Sequence, residues 1–201
     1  MIRLAVLFSL ALALPPPQLA RGDDQKTAEQ PAGGKSVKVK AGDLQLTVPE
    51  RWKKRAPKNE MRLAEYEVPA GDLAKEAGEF VVFYFGRGQG GDLDGNITRW
   101  VGQLEPEGRS VKLLKGECSL GEYTLVDVTG TYNKSIGPPV LRKTQKLTGW
   151  RVINVYLQNP GGPYFLKIDG PEKVVAKELD ALRASFGGDA KTEKEVEFKG
   201  K

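Results

Sequence analysis

The segment from Glu79 to Leu104 constrains the fold more than any other part of the chain. Residues 80–85 are an unbroken apolar and aromatic run, too short for a buried helix and rich in β-formers, which predicts a strand covered on both faces. After a glycine-rich turn, apolar residues recur at helical spacing, at Leu93, Ile97, Trp100, Val101 and Leu104. A buried strand, a turn and a helix folding back predict the core of a layered domain.

The turn between this strand and this helix satisfies the GxGxxG pattern through Gly86, Gly88 and Gly91. A dinucleotide-binding fingerprint belongs between a strand and a helix, but it also needs a parallel βαβ unit. The flanking strands here have the short connections of hairpins, and Asp92 and Asp94 place negative charge where a pyrophosphate would dock. We therefore predict no cofactor, and expect Asp94 or Asn96 to cap the helix.

The N-terminus has the features of a secretory signal. A positive start is followed by an apolar run at residues 4–14, three prolines, and small residues before a cut ahead of Asp23. Because the run is far shorter than the roughly 20 residues of a membrane span, it predicts a signal peptide at 1–22 and export to the periplasm or the exterior. An uncut, membrane-anchoring N-terminus is the alternative.

The remaining domain boundaries follow from composition. Residues 23–36 are polar and aperiodic and predict a flexible leader, whereas the charged residues 188–201 predict a disordered tail. Residues 37–187 carry the hydrophobic periodicity and predict a single α+β domain. No transmembrane helix is expected after removal of the signal, and the sequence does not predict an oligomeric state.

Most of the predicted strands are joined by short turns. Alternation predicts a hairpin over 37–48, a strand with a bulge near Ala64 over 61–68, and a hairpin of 150–157 with 164–168. A last helix is expected from Pro171 to a stop at Gly187. The fold class is therefore α+β, with a mainly antiparallel sheet of about six to eight strands flanked by helices.

The composition of the chain limits the kinds of site and partner that it can have. The chain has no histidine and one cysteine, Cys118, so neither an internal disulfide nor a Cys/His metal cluster can form, and no catalytic or metal site is predicted. Without Arg3 and Arg21 of the signal, 29 of the 31 basic residues remain against 26 acidic ones, a net charge of +3. This small excess disfavours a nucleic-acid partner.

Two positive segments are candidate contact surfaces. Basic residues surround Trp52, and residues 133–148 form a long positive excursion that predicts a loop. With the arginine of the glycine turn, the candidate partner surface comprises Arg51, Trp52, Lys53, Arg87, Arg142 and Lys143. The alternative is that these are solvated loops, with Trp52 tucked into the core.

Five motifs resemble segments of uncharacterised secreted proteins of planctomycete bacteria: Val48–Trp52, Met61–Ala64, Phe83–Gly86, Asn96–Trp100 and Tyr164–Pro171. Those proteins have a fold similar to the Mog1/PsbP type, an antiparallel sheet flanked by helices. The resemblance covers roughly residues 37–186 and implies a Mog1/PsbP-like sandwich. PsbP proteins assist photosystem II and Mog1 binds a small GTPase, but no functional residue of either matches a position here.

The leading hypothesis is an exported, non-enzymatic binding or accessory domain that contacts a protein or an envelope component. The alternative is a small-ligand-binding protein or a carboxylate-based hydrolase, because paired acids can perform acid–base chemistry in a cleft. The candidate acids are Glu65, Glu67, Glu76, Glu79, Asp92 and Asp94. Polyanion binding through the basic segments is a third hypothesis.

Overall fold

The computed structural model describes residues 34–137 and 143–198. The predicted signal peptide, the leader up to residue 33, and Arg142 lie outside the described residues. No helix in the described ranges is long and apolar enough to cross a membrane.

A two-stranded hairpin is followed by a long antiparallel sheet. The hairpin comprises β1 (Ser36–Ala41) and β2 (Leu44–Pro49), as the alternation at 37–48 predicts. The sheet comprises β3 (Lys53–Arg55), β4 (Arg62–Val68), β5 (Gly78–Tyr84), β6 (Ser110–Cys118), β7 (Gly121–Ser135), β8 (Thr144–Leu157), β9 (Tyr164–Pro171) and β10 (Lys194–Val196). Its order is β10-β6-β7-β8-β9-β5-β4-β3, and each neighbouring pair is antiparallel. The α+β class with a mainly antiparallel sheet is confirmed.

The described part of the chain also contains three short α-helices, α1 (Leu93–Val101), α2 (Glu172–Lys177) and α3 (Leu179–Phe186), and a single 3-10 turn at Gly71–Leu73. The N-cap of α1 is Asp92, whose carboxylate accepts the Gly95 N–H at 2.8 Å, so the expected cap at Asp94 or Asn96 is wrong. The single helix expected after Pro171 is two helices, separated at Glu178.

The two faces of the long sheet build two hydrophobic clusters. On the face we call the hairpin face, Phe80, Leu125 and Leu166 pack with the β1–β2 hairpin and with α2 and α3. On the opposite face, the α1 face, Val126, Val152 and Phe165 pack with Ile97, Trp100 and Val101. The alternation of side chains along each strand places one set on each face. The central strands are therefore covered on both sides, as the apolar run at 80–85 predicts.

Two segments differ from the sequence-based expectation. Within the positive excursion predicted as a loop at 133–148, the described residues up to Ser135 belong to β7 and those from Thr144 belong to β8, and the two strands stay paired as far as these residues. Part of the predicted disordered tail is also ordered, because β10 pairs with residues 113–115 of β6 and Arg183 binds Glu193 at 2.6 Å. In both cases main-chain pairing with a neighbouring strand compensates for a polar sequence.

Candidate functional site

A cleft of about 140 Å³ opens on the α1 face, between α1 and strands β5 and β9. Its walls are aromatic. The rings of Phe83 and Phe85 stack with centroids 6.2 Å apart, and Phe165 meets Phe85 edge-on at 5.3 Å and Trp100 at 6.2 Å. Phe85 is 37% exposed, whereas the other aromatic side chains of the described residues are buried or half-buried.

The glycine-rich turn makes this aromatic packing possible. Gly90 has a φ of +89°, and a Cβ added there would lie 2.7 Å from the Phe165 ring. The turn therefore needs glycine in order to pass close to the rings. β5, which precedes the turn, is antiparallel to both β4 and β9, so it does not form the parallel βαβ unit of a dinucleotide-binding fingerprint.

Polar groups complete the lining of the cleft. Asn154, which is only 3% exposed, and Gln103 both line the cleft. Asn154 Nδ2 and Gln103 Oε1 are buried and have no hydrogen-bond partner among the described residues. A buried polar group left unsatisfied costs about 1–3 kcal/mol. Arg99 also lines the cleft; its guanidinium donates to Asn96 Oδ1 and makes no ion pair within the described chain.

The charge of Lys167, the fourth polar group of the lining, is already balanced. Its Nζ donates to the Tyr132 hydroxyl at 2.7 Å and lies 3.4 Å from Asp169 Oδ2. Burial alone would lower the pKa of Lys167, but the Asp169 carboxylate and the Tyr132 hydroxyl outweigh burial and raise it. The floor of the cleft is therefore polar without an unbalanced charge.

Asp169 anchors this region although it does not line the cleft. Its carboxylate is 1% exposed and accepts from Lys134 Nζ at 2.8 Å and from Trp150 Nε1 at 3.2 Å. Burial would raise its pKa, but the charges of Lys167 and Lys134 lower it below the ordinary carboxyl value. The long β7–β8 hairpin is thus tied to β9 by an ion pair and an indole.

A second ionic cluster lies on the β4 side of the same sheet. Glu65, 1% exposed, contacts Arg62 at 2.9 Å and Lys58 at 3.1 Å, and the same two cations contact Glu79. Burial raises the pKa of Glu65, but the Lys58 hydrogen bond and the Arg62 charge lower it overall. A carboxyl with a lowered pKa is a poor general acid at neutral pH, because it holds no proton.

The structure places Arg51 and Trp52 at the helix break rather than in a free basic patch. Trp52 is 3% exposed, packs 4.9 Å from the Phe80 ring, and donates its indole N–H to Glu178 at 2.9 Å. Arg51 binds the same carboxylate at 2.6 Å. Trp52 thus lies in the core and does not add an aromatic ring to an exposed surface.

The other candidate surface residues are dispersed. Lys53 lies on the edge strand β3, and its Nζ is 3.6 Å from Glu67 Oε1. This position is near the start of β5, whereas Arg87 is exposed beyond the end of β5. Lys143 is exposed at the start of β8. None of the candidate residues that the structure describes lines the cleft.

The cleft residues Asn154, Lys167, Gln103 and Arg99 were not identified from the sequence. Two of them had a detectable signal, because Asn154 interrupts the apolar run at 152–157 and Lys167 interrupts the apolar run at 164–168. The partners that balance Lys167 come from β7 and from β9 itself, and sequence periodicity does not reveal that pairing.

The chain matches no model of a known protein family and no curated protein. The described residues contain no group of three or more cysteine, aspartate or glutamate side chains that could hold a metal ion. The functional proposal therefore depends on the geometry of the cleft.

Proposed function

We propose that this protein is an exported, non-enzymatic binding module that recognises a protein partner through the aromatic cleft on the α1 face. The observation that carries the proposal is the exposed Phe85 ring, stacked on Phe83 and lining the cleft with Arg99, which has no ion-pair partner among the described residues. Aromatic and arginine side chains dominate the binding energy of protein interfaces, especially where they surround a small recess.

The chemistry of the partner follows from the rim of the cleft. Arg99 is exposed and has no carboxylate partner among the described residues, so an acidic side chain is complementary to it. Phe85 offers an apolar ring next to that charge. We infer that the partner presents an acidic side chain adjacent to an apolar one.

The carboxylate-based hydrolase receives less support from the same face. Glu65 and Glu79 share Lys58 and Arg62, and Glu67 binds Lys53 and Arg55. A glycosidase-type pair needs one carboxyl that keeps its proton, whereas the pKa of Glu65 is lowered. The surroundings of these carboxylates favour structural ion pairs.

Export and the fold relationship belong to the same proposal. A signal peptide at 1–22 would deliver the domain to the envelope, where a protein partner would be found. An antiparallel sheet with helices on both faces is compatible with a Mog1/PsbP-like sandwich. We propose this relationship for the fold alone, since a shared fold does not carry a function with it.

Site-specific crosslinking tests the proposal. A photoreactive amino acid replaces Phe85 in the full chain expressed in its native cells, and crosslinked proteins are identified by mass spectrometry. The matched control places the same group at Leu73, which is 41% exposed and precedes β5, whereas Phe85 follows it. We expect one reproducible partner at position 85 and none at position 73.

Charge reversal then tests the chemistry of the partner. Arg99→Glu should reduce the crosslink at position 85 at least tenfold, because like charges across an interface repel. Lys173→Glu, the same charge change at an exposed position of α2, should leave the yield unchanged. Identical crosslinking patterns at positions 85 and 73, or equal effects of the two reversals, would contradict the proposal.

A further inference from the structure

A second, larger pocket lies on the α1 face, at the end of the sheet where β10 pairs with β6. We call it the edge pocket; it is lined by residues of β6, β7 and β10 and by Leu93, the first residue of α1. Its volume is about 560 Å³, which lies within the range of small-molecule sites. It shares no lining residue with the aromatic cleft. Its charged residues are Lys115, Lys194, Glu117 and Glu122.

The strand register arranges these four charges in two rows. Lys115 of β6 lies directly opposite Lys194 of β10. Glu117, two residues further along β6, lies directly opposite Glu122 of β7. Residues two apart on a strand share a face of the sheet, and at 3.3–3.4 Å per residue the two rows are about 7 Å apart. One end of the edge pocket is therefore positive and the other is negative.

The charges of the two rows are not balanced by the protein. All four side chains are exposed, and none of them makes an ion pair within the described residues. Each row places like charges opposite each other on neighbouring strands, where they repel. A ligand with an anionic group at the lysine row and a cationic group at the glutamate row would relieve both repulsions.

Thr124 adds a hydrogen-bonding group beside the lysine row, because it lies opposite Lys115 on β7. The Thr124 side chain is only 5% exposed, and its hydroxyl makes no hydrogen bond within the described residues. Its oxygen is nevertheless not one of the unpartnered polar atoms that are sealed from solvent. The hydroxyl is therefore reachable from the edge pocket, where it can donate to an anionic group.

The spacing of the rows selects the length of the ligand. An extended peptide spans about 3.3–3.6 Å per residue, so the charged ends of a dipeptide are about 7 Å apart, whereas a single amino acid spans half that distance. Val196 follows Lys194 by two residues on the same face of β10 and packs, like Leu93, against the α1-face cluster. The apolar wall of the edge pocket therefore lies at its lysine end.

We propose that the edge pocket binds a free dipeptide with an apolar C-terminal residue. The carboxylate of the dipeptide is held by Lys115 and Lys194 and accepts the Thr124 hydroxyl. Its α-ammonium group is held by Glu117 and Glu122. This inference goes beyond the proposed function, because it assigns a small ligand to a second site and does not depend on the aromatic cleft.

Alanyl-leucine is the probe that tests this site. In the ¹⁵N-labelled full chain, we expect it to shift the main-chain amide resonances of Lys115, Glu117 and Thr124 saturably, with millimolar affinity for so few atoms. N-acetyl-alanyl-leucine lacks the cationic group and alanyl-leucinamide lacks the anionic group, so each should bind at least tenfold more weakly. Equal affinities of the free and blocked peptides, tighter binding of inorganic phosphate, or no saturable shift with any probe would overturn the proposal.

Two double variants at exposed positions assign each end of the dipeptide. In Lys115→Met with Lys194→Met, alanyl-leucine and alanyl-leucinamide should bind equally, because nothing remains to recognise the carboxylate. In Glu117→Gln with Glu122→Gln, alanyl-leucine and its N-acetyl form should bind equally, because nothing remains to recognise the ammonium group. Discrimination as strong as in the wild type in either double variant would refute the assignment of that row.

The matched control removes two exposed lysines from other surfaces. Lys112 lies on β6 with its side chain on the opposite face from Lys115, and Lys173 lies on α2. Lys112→Met with Lys173→Met should leave every affinity unchanged, and an equal loss of binding in this control would contradict the proposal. Thr124→Val should stay folded, because it keeps the shape of the side chain, and should weaken alanyl-leucine binding about fivefold; unchanged binding would refute the role of the hydroxyl.

Discussion

Asp169→Asn removes a buried charge while keeping the shape of the side chain. The carboxylate is 1% exposed and lies 2.8 Å from Lys134 Nζ and 3.4 Å from Lys167 Nζ. Removing one partner of a buried ion pair costs about 3–5 kcal/mol. Because Lys134 and Lys167 keep 29% and 20% of their side chains exposed, solvent moderates the loss. We therefore expect the free energy of unfolding to fall by about 3 kcal/mol.

Urea unfolding followed by tryptophan fluorescence measures this loss. With a slope of about 2 kcal/mol per molar urea, the midpoint should fall by about 1.5 M. The control is Glu195→Gln, whose pair with Lys112 at 3.1 Å has side chains 64% and 51% exposed. An exposed pair contributes below about 1 kcal/mol, so its midpoint should move by less than about 0.5 M. An Asp169→Asn midpoint as close to wild type as the control would refute the reasoning.

The same variant predicts a pH dependence. The pKa of Asp169 is lowered in the folded protein, so the carboxylate stabilises the fold fully above the ordinary carboxyl pKa of about 4. That stabilisation is lost as the pH falls through the lowered value. The difference in stability between wild type and Asp169→Asn should therefore shrink below about pH 4. A difference that stays constant down to acid unfolding would contradict the ion-pair account.

Two further predictions concern the glycine-rich turn before α1 and the stability of the protein at high pH. Gly90→Ala should destabilise the protein by about 2 kcal/mol or more, because its Cβ would meet the Phe165 ring at 2.7 Å and φ is +89°. Gly88→Ala should lower the stability by only about 1 kcal/mol in thermal unfolding, because φ is +71° there but no atom lies within 4 Å of an added Cβ. Equal losses of stability in the two variants would argue against the contact with the Phe165 ring. Burial and Glu193 raise the pKa of Tyr123 from 10.0 to about 12. Stability should therefore fall as the pH rises between these values, and Tyr123→Phe should flatten that decline in alkaline unfolding curves; an unchanged decline would rule out Tyr123 as its source.

Local pattern accounts for the elements that the sequence predicted. The β1–β2 hairpin, the irregular pairing between Arg62 and Ala64 in β4, and the β8–β9 hairpin follow from alternation and turn residues. The buried residues of α1 include Ile97, Trp100 and Val101 of the predicted apolar stripe. These features depend on neighbours a few residues apart, which a sequence displays directly.

The conformations of the charged tail and of the last helix, which differ from the predictions, depend on distant residues. The charged composition at 188–201 predicts disorder, but within its described residues β10 forms because the β6 edge offers unpaired main-chain groups. The last helix breaks at Glu178, whose carboxylate is bound by Arg51 and Trp52, more than a hundred residues earlier in the chain. Neither partner strand nor partner side chain can be read from the segment itself.

The candidate site also combines features that depend on near neighbours in the sequence with features that depend on distant residues. Hydrophobic periodicity is a local property, so it identifies the segments that are apolar enough to form the sheet and α1. Only the tertiary structure brought Gln103 and Asn154 to one cleft beside Phe85, and only it paired Lys167 with Asp169 and Tyr132. Whether a polar side chain is exposed, balanced or left without a partner depends on what packs against it from other strands and helices. That is decided by the register of the strands and by how α1 folds back over them.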